Sequence, residues 1–149
     1  MAKHTTLLLM AIVNILLTAT AATLAKAPAP AANKPTAYEM LGRYGFPPGI
    51  LPEGVLDYEL RPDGSFEVHF SDECKLRVDG QYDIHYNTRV AGNIKNDTLG
   101  GLEGIKVKVF IAWVSIKEVD RDGDELRLHA GMISKSFPVG DFSSSPKCN

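Results

Sequence analysis

From Leu56 onward, the apolar residues of this chain recur at every second position. Leu56, Tyr58 and Leu60 alternate with Asp57, Glu59 and Arg61; Phe66, Val68 and Phe70 alternate with Glu67 and His69. Cys74, Leu76 and Val78 then alternate with Lys75 and Arg77, and Tyr82, Ile84 and Tyr86 with Asp83 and His85. Two is the period of a strand with one buried and one wet face. Pro62-Asp63-Gly64 and Asp79-Gly80 separate the runs and suit tight reversals, so neighbouring strands are antiparallel. A weaker strand follows at 88–95 with Val90 and Ile94 inward, then a polar loop at 96–101. A last long strand carries Leu126, Leu128, Ala130 and Met132. Roughly six or seven short strands and one helix predict a mainly β fold. The expected form is a small antiparallel β-barrel or a strongly curved sheet, with one short N-terminal helix packed on it. A jelly roll or a sandwich fits the same pattern.

The helix is predicted over 36–44. Thr36 and Glu39 form a T-x-x-E capping box, and Ala37, Met40, Leu41 and Tyr44 share one face. Gly45 suits the left-handed stop, and Pro47 and Pro48 forbid continuation. A helix this short must dock to persist. The next stretch, Tyr44-Gly45-Phe46-Pro47-Pro48-Gly49-Ile50-Leu51-Pro52-Glu53-Gly54-Val55, combines turn residues with Phe46, Ile50, Leu51 and Val55. So much apolar surface does not suit a solvated linker. It predicts a stiff, packed clasp that holds the helix against the sheet.

Residues 105–119 read differently. Ile105, Val107, Val109, Ile111 and Trp113 make one face of a single strand, while Phe110, Ala112, Val114 and Ile116 make its other face apolar too. A strand apolar on both faces needs a cover on each. The helix and clasp are one candidate; a bound amphiphile is the other.

Residues 1–25 have the three parts of a secretory signal peptide. Lys3 precedes an apolar run from Leu7 to Leu17, and small residues follow, with cleavage expected near 22–25. The run is short of the ~20 residues a membrane span needs, so no transmembrane segment is expected after cleavage. Residues 26–35 are an Ala/Pro-rich arm, and 36–149 a single β-rich domain. The expected location is the secretory pathway and the extracellular space, with the vacuole as the alternative. In an oxidising compartment an even pair of cysteines bonds, which predicts a Cys74–Cys148 disulfide. Asn96-Asp97-Thr98 is a sequon for N-glycosylation at Asn96. The net charge of -2 leaves no basic footprint for nucleic acid.

The proline-glycine stretch resembles the signature of the plant family catalogued as domain of unknown function 538. Further matches follow in order: Asp63-Gly64-Ser65-Phe66-Glu67-Val68, the Cys74 strand, Trp113-Val114-Ser115, Asp122-Gly123-Asp124-Glu125-Leu126, Ser136-Phe137-Pro138-Val139 and Ser145-Pro146-Lys147-Cys148. The resemblance covers 36–148. It implies a secreted plant protein with a β-barrel-like fold, linked to growth, trichome and stress phenotypes. It also implies a comparison with bactericidal/permeability-increasing lipid-binding proteins and, for some members, an esterase activity. The family offers no catalytic residues to carry over.

The residues themselves are poor in catalytic signals. There is no G-x-S-x-G elbow for a serine hydrolase. His69, His85 and His129 fall on wet strand phases; an unorthodox triad could pair one of them with Asp83 or Asp141. No H-x-H metal spacing appears, and Asp120-Arg121-Asp122-Gly123-Asp124-Glu125 reads as a hairpin turn rather than a calcium loop. Tyr58, Tyr82, Tyr86 and Trp113 fall on inward phases, and Lys106 and Lys108 make only a weak basic patch. No catalytic residue, metal or cofactor is therefore assigned. The favoured expectation is a non-enzymatic binding module for an apolar small molecule or lipid, touching Phe110, Ala112, Val114 and Ile116. A secreted esterase and a cell-wall or secretory-pathway interaction protein are the alternatives.

Overall fold

The chain leaves the first helix of the described residues where its side chains dictate. The structure, a computed structural model, describes residues 34–149; the stretch expected to be a signal peptide and most of the Ala/Pro arm fall outside the described residues. Helix α1 (Ala37–Arg43) opens on the capping box: the Thr36 side chain accepts from the Glu39 amide at 3.1 Å, and the Thr36 amide donates to the Glu39 carboxylate at 2.9 Å. It ends with the Phe46 amide donating to the Leu41 carbonyl at 2.9 Å, across Gly45 at φ +92°. A Cβ at Gly45 would also run into the Asp97 carboxylate. Ala37, Met40 and Leu41 are buried, so the short helix is held by packing.

The clasp continues the core. Phe46, Ile50, Leu51 and Pro52 are buried. Its backbone carbonyls are met by side chains from elsewhere: Tyr86 donates to Ile50 at 2.7 Å, Tyr38 to Pro52 at 2.8 Å and Arg121 to Gly45 at 2.8 Å. Burial pushes the Tyr86 phenol well above its usual range, so it remains a donor. A Cβ on Gly49 would lie 2.7 Å from the Phe142 Cα, so only glycine lets the C-terminal segment approach.

The rest is strand: β1 (Val55–Leu60), β2 (Ser65–Phe70), β3 (Cys74–Val78), β4 (Tyr82–Lys95), β5 (Thr98–Val109), β6 (Ala112–Asp122), β7 (Glu125–Ala130) and β8 (Ile133–Pro138). All pair antiparallel in one eight-stranded sheet, ordered β1-β2-β4-β5-β6-β7-β8. β3 pairs with the first half of β4 and β2 with the second half, one after the other. β2 has the expected alternation, with Phe66, Val68 and Phe70 buried.

Of the two forms expected, the curved sheet is found; the sheet does not close into a barrel. The outermost strands β1 and β8 are six residues each, and loop segments bridge the gap between them. The Glu53 amide donates to the Pro146 carbonyl at 2.9 Å, and the Ser145 hydroxyl to Pro48 at 2.9 Å. The Asn149 amide reaches Lys75 at 3.0 Å beside the Cys74–Cys148 disulfide, so the expected pairing is present.

Five local expectations are corrected. The strand read as continuous over 105–119 is two strands folded at Phe110-Ile111. Val107 pairs with Val114 and Val109 with Ala112, so both apolar rows lie on one face and Trp113 turns to the other. The helix lies nearest β1 and the clasp rather than over 110–116. The loop placed at 96–101 is a two-residue reversal with Asp97 at φ +62°; β5 begins at Thr98 and bends at its glycines instead of stopping. Leu56 is exposed because a bulge between Val55 and Asp57 shifts its phase, and Leu60, though paired with buried Phe66, is exposed at the end of the edge strand β1. The last long strand turns back at Gly131-Met132, which makes an eighth strand.

On the outer face Glu67 accepts from Arg61 at 2.8 Å and also from Arg89. The Arg61 bond first, then Arg89, hold its carboxyl down to about 2 from an ordinary 4.5. An acid depressed by folding stabilises above its unfolded-state value, and that contribution is lost as pH falls through the folded value. Thermal melts between about pH 5 and pH 2 should therefore fall less steeply in Glu67→Gln than in the wild type.

Candidate functional site

The inner face of the curved sheet is not completely filled. Because the β-residues alternate, every strand sends its apolar row to the same concave side. α1, the clasp and the segment after β8 close that side only in part. What remains is a cavity of about 770 Å³. Its walls are apolar, with Val68, Leu76, Leu102, Ile105 and Ile116 among them. Toward one end the lining becomes exposed and charged: Arg77, Asp79, Lys108 and Lys135 stand there with Phe110. The cavity opens at that end, where the β3–β4 and β5–β6 hairpins turn.

Two of the four residues expected to touch ligand lie on this cavity. Ile116 is buried in its wall, and Phe110 stands at its mouth with 94% of its surface exposed. Ala112 is exposed and Val114 half-buried, and neither lines it. The rest of the wall comes from β2 to β8, α1, the clasp and the segment after β8. Asn96 is exposed in the β4–β5 reversal.

The histidines do not assemble a nucleophilic site. His69 pairs with Asp57 at 2.7 Å, His85 with Glu73 at 3.0 Å and His129 with Asp120 at 2.9 Å. Each ring is thus held by a carboxylate, and none is bonded to a serine, threonine or cysteine among the described residues. Asp83 pairs with Arg77 at 3.0 Å and Asp141 lies on the cavity, so neither serves a histidine. The cavity and the histidine pairs are separate: the histidines lie on outer strand phases and none lines it.

One grouping was not legible as a motif. Glu118 and Asp120 on β6 and His129 on β7 bring one ligand atom each to within 4.8 Å of one another. Glu118 and His129 face each other across the ladder, and Asp120 is two residues along. The hydrogen bond with Asp120 and its charge raise the Glu118 carboxyl, with burial adding to the shift. Such a set has the donor types of a divalent-cation site. In sequence it is two acids and a distant histidine; only the strand register joins them.

A family model described as "Protein of unknown function, DUF538" matches residues 37–143, from the first residue of α1 to the turn after β8. The chain belongs to the DUF538 family. An uncharacterized protein of Arabidopsis thaliana is 30% identical over 95 residues, which is 63% of this chain and 55% of that relative. The chain therefore spans little more than half of the relative's length. No solved structure matches. The matched DUF538 region contains the clasp, every strand and nearly all of the cavity wall. Among the described residues no helix is long and apolar enough to cross a membrane.

Proposed function

We propose that this DUF538 protein is a binding module that takes an apolar or amphipathic small molecule into the concave face of its sheet. The observation that supports it is the cavity of about 770 Å³, apolar within and charged at its mouth. Small-molecule sites are commonly about 300–1,000 Å³, with mostly apolar walls and a few polar groups that set orientation. An apolar chain would fill the walls beside Val68 and Ile105. A polar or acidic head would stay at the mouth, near Lys108 and Lys135. This reading needs no catalytic residue, metal or cofactor. We place the protein in the secretory pathway and the apoplast, or alternatively the vacuole, with a leader removed near 22–25 and a glycan on Asn96. The disulfide is compatible with that route.

Native mass spectrometry of protein from a plant secretory expression host reads leader, glycan and retained ligand together. A fluorescent long-chain fatty acid then measures the cavity directly. Val107→Trp, which adds an indole at a half-buried wall position, should weaken probe binding by about tenfold or more while the near-ultraviolet circular dichroism stays folded. A chain that neither retains a lipid nor binds fatty acid, lysophospholipid or sterol probes would end this reading.

A further inference from the structure

The β5–β6 hairpin ends in a way that fold stability does not explain. Its two-residue turn is Phe110-Ile111, with 94% and 92% of their surfaces exposed. Phe110 is at φ +58°, a region where a bulky side chain is an outlier and glycine would be relaxed. Turns of this kind ordinarily use glycine, asparagine or aspartate. Here two large apolar side chains are held in water at a conformational cost. The neighbouring β7–β8 turn does the same with Met132, fully exposed, and Ile133, 49% exposed. It lies alongside: a Cβ on Gly131 would be 3.2 Å from the Val114 side chain. The β5–β6 tip therefore projects about three residues, or ~10 Å, farther out.

Behind the tip the chemistry changes in a fixed order. Val109 and Ala112 pair next below the turn; Trp113 and Lys108 are the second cross-strand pair, and Lys106 pairs with Ser115 two residues further on the same face. Trp113 is 45% exposed and stacks edge-on against His85. Among the described residues, neither lysine makes an ion pair. The third hairpin at this end carries Asp79, whose charge acts on Lys135; Asp83 is taken by Arg77. The tip thus grades from purely apolar to a level shared by the indole and Lys108, with Lys106 ~7 Å beyond. That is the depth profile of an acyl boundary, a headgroup layer and an anionic surface. A protein partner would not require this order along the hairpin axis.

We propose that the β5–β6 hairpin docks the protein on a phospholipid bilayer. Phe110 and Ile111 enter the acyl boundary. Trp113 and Met132 lie at the interface, and Lys106 and Lys108 meet anionic headgroups. The cavity mouth then faces the membrane. The docking does not depend on what the cavity holds.

Trp113 is the only tryptophan of the chain and reports on the contact directly. Protein from one purification, its amino terminus fixed by intact mass, is titrated with phosphatidylcholine vesicles with and without phosphatidylserine. Co-sedimentation, a blue shift of Trp113 emission and its quenching by brominated acyl chains are expected, more strongly with phosphatidylserine. Phe110→Gly relaxes the turn and removes the ring, so it should melt no lower than wild type yet bind vesicles about tenfold or more weakly. Phe110→Ser with Ile111→Ser should bind more weakly still. All share the wild-type terminus, so a residual leader cannot account for the difference. No sedimentation of the wild type, or equal sedimentation of the variants, overturns the proposal. So does vesicle-independent self-association abolished by the same substitutions, which would make a second copy the occupant. Ile111→Ser alone, altered off the cavity lining, should leave vesicles yet still bind the fatty acid probe, which keeps the docking separate from the cavity reading.

Discussion

Breaking the Cys74–Cys148 disulfide is expected to lower the melting temperature by roughly 10–20 °C. The bond spans a sequence separation of 74 residues. A cross-link of that length restricts the unfolded chain by about 4 kcal/mol in the chain-entropy treatment, an upper figure when native strain is absent. A second effect acts in the folded state. The segment before Cys148 is one of the loop bridges between the two ends of an open sheet, through the Pro146 carbonyl and the Ser145 hydroxyl. Freed from Cys74, it loses its anchor on β3. Melts with and without reductant, and of Cys74→Ser with Cys148→Ser, measure the first effect. Hydrogen exchange measures the second, since the Glu53 amide should lose protection well before the β4–β5 ladder does. An unchanged melt under full reduction would show that packing alone holds the tail.

Phe46→Ala is expected to cost about 3–5 kcal/mol, the range for removing a fully buried aromatic side chain. Phe46 is 2% exposed and is among the largest fully buried side chains. It follows the helix stop, so its loss leaves a void where helix, clasp and sheet meet. Urea unfolding should show a lower midpoint at an unchanged slope, because the surface exposed on unfolding hardly changes. Phe110→Ala is the contrast: the same side chain removed from a position 94% exposed should alter stability by no more than about 0.5 kcal/mol. A loss below about 1 kcal/mol for Phe46→Ala would mean that the clasp is a surface ornament rather than part of the core.

These two experiments separate what was legible in the chain from what was not. The alternation through Phe66, Val68 and Phe70, the capping box at Thr36 and Glu39, and the clasp of proline, glycine and buried apolar residues are local patterns. Each is set by backbone sterics or by hydrogen bonds a few residues apart, so the sequence alone determined them. It also determined the family, through motifs read in order, and the cysteine pairing.

The tertiary structure decided the rest. A turn at Phe110-Ile111 carries none of the usual turn residues, so two one-sided strands looked like one two-sided strand. The cavity exists because rows from β2 to β8 converge across a sheet that does not close. The Glu118, Asp120 and His129 cluster exists because register sets β6 against β7. Strand pairing, curvature and incomplete filling join residues far apart in the chain, and no local pattern encodes those distances. The period-two rows of β2 to β4 determined which of their side chains would face inward; only their closure around α1 and the clasp decided that space would be left between them.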